Sequence, residues 1–159
     1  MPTPDFVLAL RAGVGNDLLW MPGVTAVVLR DGPAGLQVLL VRRSDDGEWT
    51  PVTGIVDPGE QPAAAAAREV LEEAGIVARA ERLARVHSTE VVVYDNGDRS
   101  QYLDLTFRFR WVSGEPYPAD GENTAAAWFG LDALPPMRPA MHARLAAALS
   151  DDPAATFER

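Results

Sequence analysis

The chain has 159 residues, no cysteine and a net charge of −9 at neutral pH. That length suits a single domain with a real core, and the lack of cysteine excludes disulfides, thiolate chemistry and a Cys-based zinc site. The negative charge argues against a nucleic-acid polymer as the main substrate, because such binding rests on Lys and Arg neutralising phosphates.

A small phosphorylated ligand stays compatible with that charge, since a bound metal can offset it. The N-terminus has no basic stretch followed by an apolar run, so no signal peptide is expected. No apolar run is long enough to span a membrane. These features lead to the expectation of a cytoplasmic protein.

In chain order, residues 1–20 read as an N-terminal extension, in which Phe6, Val7 and Leu10 give residues 4–13 the pattern of a short amphipathic helix. Residues 24–30 and 36–42 are apolar, β-branched runs flanking Asp31-Gly32-Pro33-Ala34-Gly35, which reads as a hairpin. Pro62 is suited to a first helical turn, and five alanines follow it. Gly75 stands where a helix ends in a left-handed residue. Gln61 is a poor cap, so the start of this helix is less sharply drawn than its end. Residues 82–94 and 101–112 form a second hairpin about Asp95-Asn96-Gly97-Asp98. Leu103, Leu105, Phe107, Phe109 and Trp111 alternate with polar residues, which buries one face. A short strand over 124–129, a helix over 139–149 and a frayed acidic tail over 151–159 complete the chain. Strands before and after a central helix, with a second helix at the end, imply an α/β fold with a mixed sheet between helices.

The helix after Pro62 carries the chemistry. Glu69, Glu72 and Glu73 are spaced i, i+3, i+4, so their carboxylates point the same way. Ala66, Ala67, Val70, Leu71 and Ala74 supply the face expected to pack inward. Three like charges at close quarters need a cation between them or an arginine beside them, and Arg68 is such a partner. Clustered carboxylates on a rigid helix suit a hard cation such as Mg²⁺. A solvated acidic face is the plainer alternative for any helix with three glutamates.

The preceding loop decides between these. Gly54, Glu60, Arg68, Glu69, Glu72, Glu73 and Gly75, with aliphatic Val70 and Ile76, fit the Nudix box at its full spacing. Seven fixed identities at fixed spacing arise by chance on the order of once in a million chains. The chain therefore resembles the Nudix hydrolases. The box covers residues 54–76, and weaker resemblance runs from Val24 to Trp128-Phe129. Thr53 departs from it, since many members have a second glycine there.

The resemblance implies one α/β/α-sandwich domain over 1–159. It implies a metal-dependent pyrophosphohydrolase in which water attacks a nucleoside diphosphate linked to another group. Glu69, Glu72 and Glu73 would hold Mg²⁺, with Mn²⁺ as a substitute, helped by the Gly54 backbone carbonyl. Glu60 and Arg68 would form the ion pair holding loop against helix, and Gly75 would support the box. Glu122, six residues before Trp128, lies where many relatives place a metal ligand or general base. Asp120 is its alternative. His87 reads as a packed or hydrogen-bonded side chain on a strand, and His142 as helix surface.

The substrate is less legible, because specificity lives in loops. Trp49, Tyr94, Arg99 and Tyr102 are candidates to stack on or bind a base, with packing and surface roles as alternatives. The proline that the ADP-ribose branch carries shortly after the box is missing, since none lies between Pro62 and Pro116. The flanking signatures of the coenzyme A and NADH branches are not intact. Tyr94 lies about where the dinucleoside polyphosphate branch has a tyrosine. Isoprenoid diphosphate isomerases use a cysteine that this chain lacks. A nucleoside triphosphate, damaged ones included, is the first expectation for substrate, then a nucleotide sugar or dinucleoside polyphosphate. A non-catalytic nucleotide-binding regulator is the reading from another class. A homodimer is left open.

Overall fold

The computed structural model describes residues 3–159, so the first two residues of the expected 1–20 extension lie outside the described residues. Its elements are α1 (Asp5–Val14), β1 (Leu19–Gly32), β2 (Gly35–Arg43), β3 (Trp49–Thr50), β4 (Val52–Ile55) and α2 (Pro62–Ala74). Then follow β5 (Val77–Ser88), β6 (Val92–Val93), β7 (Arg99–Ser113), β8 (Asn123–Gly130) and α3 (Pro139–Leu149).

Two apolar cores flank one mixed sheet, and β1 contributes to both. Val24, Ala26 and Val28 enter a core with Ala66, Val70 and Ala74 of α2. Val27 and Leu29, on the other face, pack with Leu145 and Ala148 of α3. β2 repeats the division, with Leu39 and Val41 on the first side and Val38 and Leu40 on the second. A strand buried on both faces reads as a continuous apolar run, which is how both segments look in the sequence. The α/β/α sandwich with a mixed sheet is therefore the observed architecture.

Register explains how the site is placed. The first hairpin forms as expected, with Asp31 opposite Leu36. After four such pairs β1 leaves β2 and pairs antiparallel with β4, from Ala26↔Val52 to Gly23↔Ile55. Its other side runs parallel to β7 from Leu19↔Ser100 to Leu29↔Arg110. β7 pairs antiparallel with β5, and β8 with β2. On the α3 side a buried polar group ties the layers. Asp104 accepts from Thr25 and Thr106, both at 2.8 Å, while Arg144 donates to Thr25 at 2.8 Å. Buried polar groups are tolerated where they have partners, and here the Arg144 Nε alone of this group is buried without one among the described residues.

Several boundaries differ from the expectation. β1 and β5 begin five residues earlier than the patterns at 24 and 82 suggest, and β3 and β4 were not foreseen. β4 is four residues with Thr53 and Gly54 at its centre, too short and too weakly apolar to read as a strand. Leu71 does not pack inward and is 52% exposed. The buried positions of α2 are Ala65, Ala66, Glu69, Val70, Glu73 and Ala74, a three-to-four repeat that leaves 71 beyond its edge. Nor is the tail wholly frayed. Thr156 donates to Ala84 O at 2.9 Å and accepts from Val86 N at 3.0 Å, because β5 is an edge strand with backbone groups to satisfy. Among the described residues, no helix is long and apolar enough to cross a membrane.

Candidate active site

Arg68 is the hub of the box. Its Nε and one terminal nitrogen each donate at 2.9 Å to the two oxygens of Glu60, a bidentate pair. Its other terminal nitrogen reaches Glu69 at 2.9 Å and Glu72 at 3.1 Å. The guanidinium also donates to Ile55 O at 3.2 Å, at the end of β4. Glu60 accepts a further bond from the Asp57 backbone at 3.2 Å. One cation thus joins loop, strand and helix. The hydrogen bonds from Arg68 hold the Glu60 carboxyl below its usual range, and Glu60 in turn raises Arg68.

The three helix acids are not equivalent. Glu69 and Glu73 lie on the buried stripe of α2, 1% and 7% exposed, whereas Glu72 is turned toward solvent. The Glu69 side chain fills the space that a Cβ at Gly54 would occupy. Its carboxyl is pushed up to about 7 by burial, against the pull of Arg68. Burial also pushes Glu73 up to about 7, opposed by a hydrogen bond from Asn123 and reinforced by the charge of Asp120. The Asn123 amide donates to Glu73 at 2.9 Å, and Asn123 is itself buried.

Burial strips water from the Glu69 and Glu73 carboxylates, and their oxygens, with the Gly54 backbone alongside, are the hard donors that a divalent cation takes. The donor set fits such an ion in kind. Among the described residues no three acidic or imidazole groups already converge on one point. Each acid already has a protein partner: Arg68 holds Glu69 and Glu72, and Asn123 holds Glu73.

The loop acids are brought to this end of α2. Asp120 accepts from the Glu122 backbone at 3.0 Å. The Glu122 carbonyl is held by Ser44 through its N–H at 2.9 Å and its hydroxyl at 2.6 Å. Gly75 caps α2 in the left-handed region, φ 66°, its N–H bonded to Leu71 O at 3.0 Å. Sequence reasoning missed Asn123. The available signal was an amide next to Glu122 at the head of a strand, one residue from the acid that drew attention.

The aromatic candidates for base binding are divided. Trp49 is engaged in packing, edge-on to Phe129 at 4.9 Å in the second core. Tyr94 and Tyr102 share a 2.8 Å hydrogen bond between their hydroxyls, and burial, ahead of that bond, raises the Tyr94 hydroxyl. Arg99 donates to Asn16 O at 3.4 Å. His87 lies 3.2 Å from Glu158, and His142 is exposed on α3, both as expected.

The NUDIX domain family profile matches residues 19–150. The chain belongs to the NUDIX family. That family is one of hydrolases that use divalent metal ions and act on nucleotide-containing substrates. It is 35% identical over 118 residues to the NAD-capped RNA hydrolase NudC of Pseudomonas aeruginosa, covering 73% of this chain and 38% of that protein. The chain thus spans well under half the length of that relative. A Bacillus subtilis protein provisionally named an 8-oxo-dGTP diphosphatase is 33% identical, with 74% of this chain and 71% of that protein covered. The crystal structure of a MutT NUDIX hydrolase from Burkholderia pseudomallei superposes with a TM-score of 0.62 at 30% identity, covering 81% of this chain and 98% of that one.

Proposed function

We propose that this Nudix hydrolase cleaves the diphosphate of a small nucleotide, with a nucleoside triphosphate as the first candidate. The observation that carries the reading is the pair of buried carboxylates, Glu69 and Glu73, on the box helix, both raised to about 7 by burial. Similarity to the provisionally named 8-oxo-dGTP diphosphatase, over about three quarters of both chains, supports the triphosphate.

In this reading Glu69, Glu72, Glu73 and the Gly54 carbonyl hold Mg²⁺, or Mn²⁺ in its place. When bound, such an ion neutralises the diphosphate oxygens and lowers the pKa of an attacking water. Arg68 fixes the directions of Glu69 and Glu72, and Glu60 locks Arg68 to the loop. Asn123 fixes Glu73. Glu122, with Asp120 as the alternative, takes the proton of the attacking water.

The similarity to NudC favours a second reading, a dinucleotide diphosphate, in which the same phosphoric anhydride bond is broken. Phosphate and nucleotide release over a library of triphosphates, nucleotide sugars, dinucleoside polyphosphates and NAD-type dinucleotides, with Mg²⁺ and then Mn²⁺, separates them. Turnover of triphosphates supports the first reading, and of NAD-type compounds the second. Turnover of nothing in the library would instead favour a nucleotide-binding regulator.

A further inference from the structure

The chain between β7 and β8, residues 114–122, crosses the C-terminal end of α2 as a strap. Helix ends leave their last carbonyls without intrahelical donors. Here the strap supplies two of them: Ala119 N donates to Glu73 O at 3.1 Å and Tyr117 N to Ala74 O at 3.2 Å. Its start is fixed by Gly114, φ 98°, where an added Cβ would stand 2.7 Å from Gly75 O, and by the Trp111 indole, which donates to Gly114 O at 3.0 Å. Past its far end Asn123 holds the Glu73 carboxylate at 2.9 Å. Glu73 is therefore gripped twice, by its main chain and by its side chain.

Tyr117 sits at the centre of this arrangement. Its ring covers Gly75, with Cδ1 and Cζ 2.8 and 2.9 Å from the place a Cβ would take there. The residue is nonetheless 57% exposed. A large ring on the surface that contributes little to the core, yet occupies the vacancy left by a box glycine, has its effect on the strap. We propose that Tyr117 is a positioning residue: its ring, seated on Gly75, holds the strap on the end of α2 and so sets the loop acids Asp120 and Glu122 against the helix end that carries Glu73. Small displacements of such groups cost rate out of proportion to their size. The functional part of this inference rests on the hydrolase reading above, while the clamping part does not.

The test compares Tyr117→Ala with Tyr117→Phe, which keeps the ring. Tyr117→Ala opens no core, so both variants should fold. Amide hydrogen exchange reports local opening. Exchange at Ala119 should accelerate at least tenfold in Tyr117→Ala, with the amides inside α2 unchanged, and stay as in the wild type in Tyr117→Phe. On whichever substrate the library screen identifies, kcat of Tyr117→Ala should fall at least tenfold with KM within threefold, and Tyr117→Phe should restore it. In single-turnover measurements on the Asp120→Asn, Glu122→Gln background, adding Tyr117→Ala should cost nothing more. Unchanged Ala119 exchange in Tyr117→Ala overturns the clamp. A full additional loss in the double-acid background overturns its action through the loop acids. If the wild type turns over no substrate, the hydrolase reading fails, while the exchange experiment still decides the clamp.

Discussion

The Glu69 carboxylate occupies the space in which a side chain at Gly54 would stand. Strand β4 and helix α2 are thereby brought into contact at a glycine that no other residue can replace without moving a buried acid. Gly54→Ala should push Glu69 away from Arg68 and disturb the donor set. Overpacking of this kind costs about 1–3 kcal/mol. Thermal unfolding should show that loss, and a Mn²⁺ titration should show weaker binding. A variant with wild-type stability and affinity would mean that Glu69 has another place to go.

Glu73→Gln should abolish turnover and leave the fold intact, since it keeps shape and removes a ligand charge, and Glu69→Gln should do the same. Asn123→Ala is milder. Groups that orient metal ligands are worth about 10–100-fold in affinity or activity, so its Mn²⁺ affinity should weaken by that order. Circular dichroism and steady-state rates check the two glutamine variants, and a Mn²⁺ titration checks Asn123→Ala.

The pH dependence of the metal-free protein follows from Glu69 and Glu73. Both carboxyls are raised to about 7 by burial, above the ordinary value of about 4.3. The folded state therefore binds more protons than the unfolded state between those limits. Their contribution to stability is fully present below about pH 4.3 and is lost as pH rises through 7. Melting temperatures from pH 4 to 8 should show this fall relative to a Glu69→Gln, Glu73→Gln variant. A difference that does not change with pH would show that these acids ionise normally.

Saturating Mg²⁺ should raise the melting temperature, because it binds the folded state alone. At a hundred times Kd the gain is about 2.7 kcal/mol. Glu72→Gln with Glu73→Gln should raise the metal-free melting point and remove the Mg²⁺ effect. A double variant less stable than the wild type without metal would show the acids to be structurally satisfied.

Glu122→Gln should lower kcat by roughly a hundredfold to ten-thousandfold, the usual worth of general acid–base catalysis. Metal affinity should hold, and the acidic limb of the pH–rate profile should flatten. Asp120→Asn should cost less. The reverse order would transfer the proton-accepting role to Asp120, and rescue of Glu122→Gln by high Mg²⁺ would make Glu122 a ligand.

The parts of the site that depend on spacing along one helix were legible in the sequence. Glu69, Glu72 and Glu73 are fixed relative to one another by the helical repeat, and Gly75 by its cap. What was hidden depends on which stripe of that helix is buried. Counting along α2 cannot tell that Glu69 and Glu73 face the sheet while Glu72 faces solvent, because the carboxylates occupy positions an apolar reading leaves vacant. Asn123 and Tyr117 were hidden for another reason. They meet Glu73 and Gly75 from about fifty and forty residues away, through a strap whose path only the packed sheet determines.

Strand β1 imposes an order on folding. Its antiparallel neighbours β2 and β4 follow closely, but its parallel partner β7 lies roughly eighty residues downstream. Closing so distant a contact is intrinsically slow. During synthesis the apolar run from Val24 to Leu29 is made long before Ser100 to Arg110 exists to cover its flank. That interval leaves one edge of a sticky strand open on the nascent chain, so refolding yield should fall steeply with protein concentration even where the finished molecule is stable.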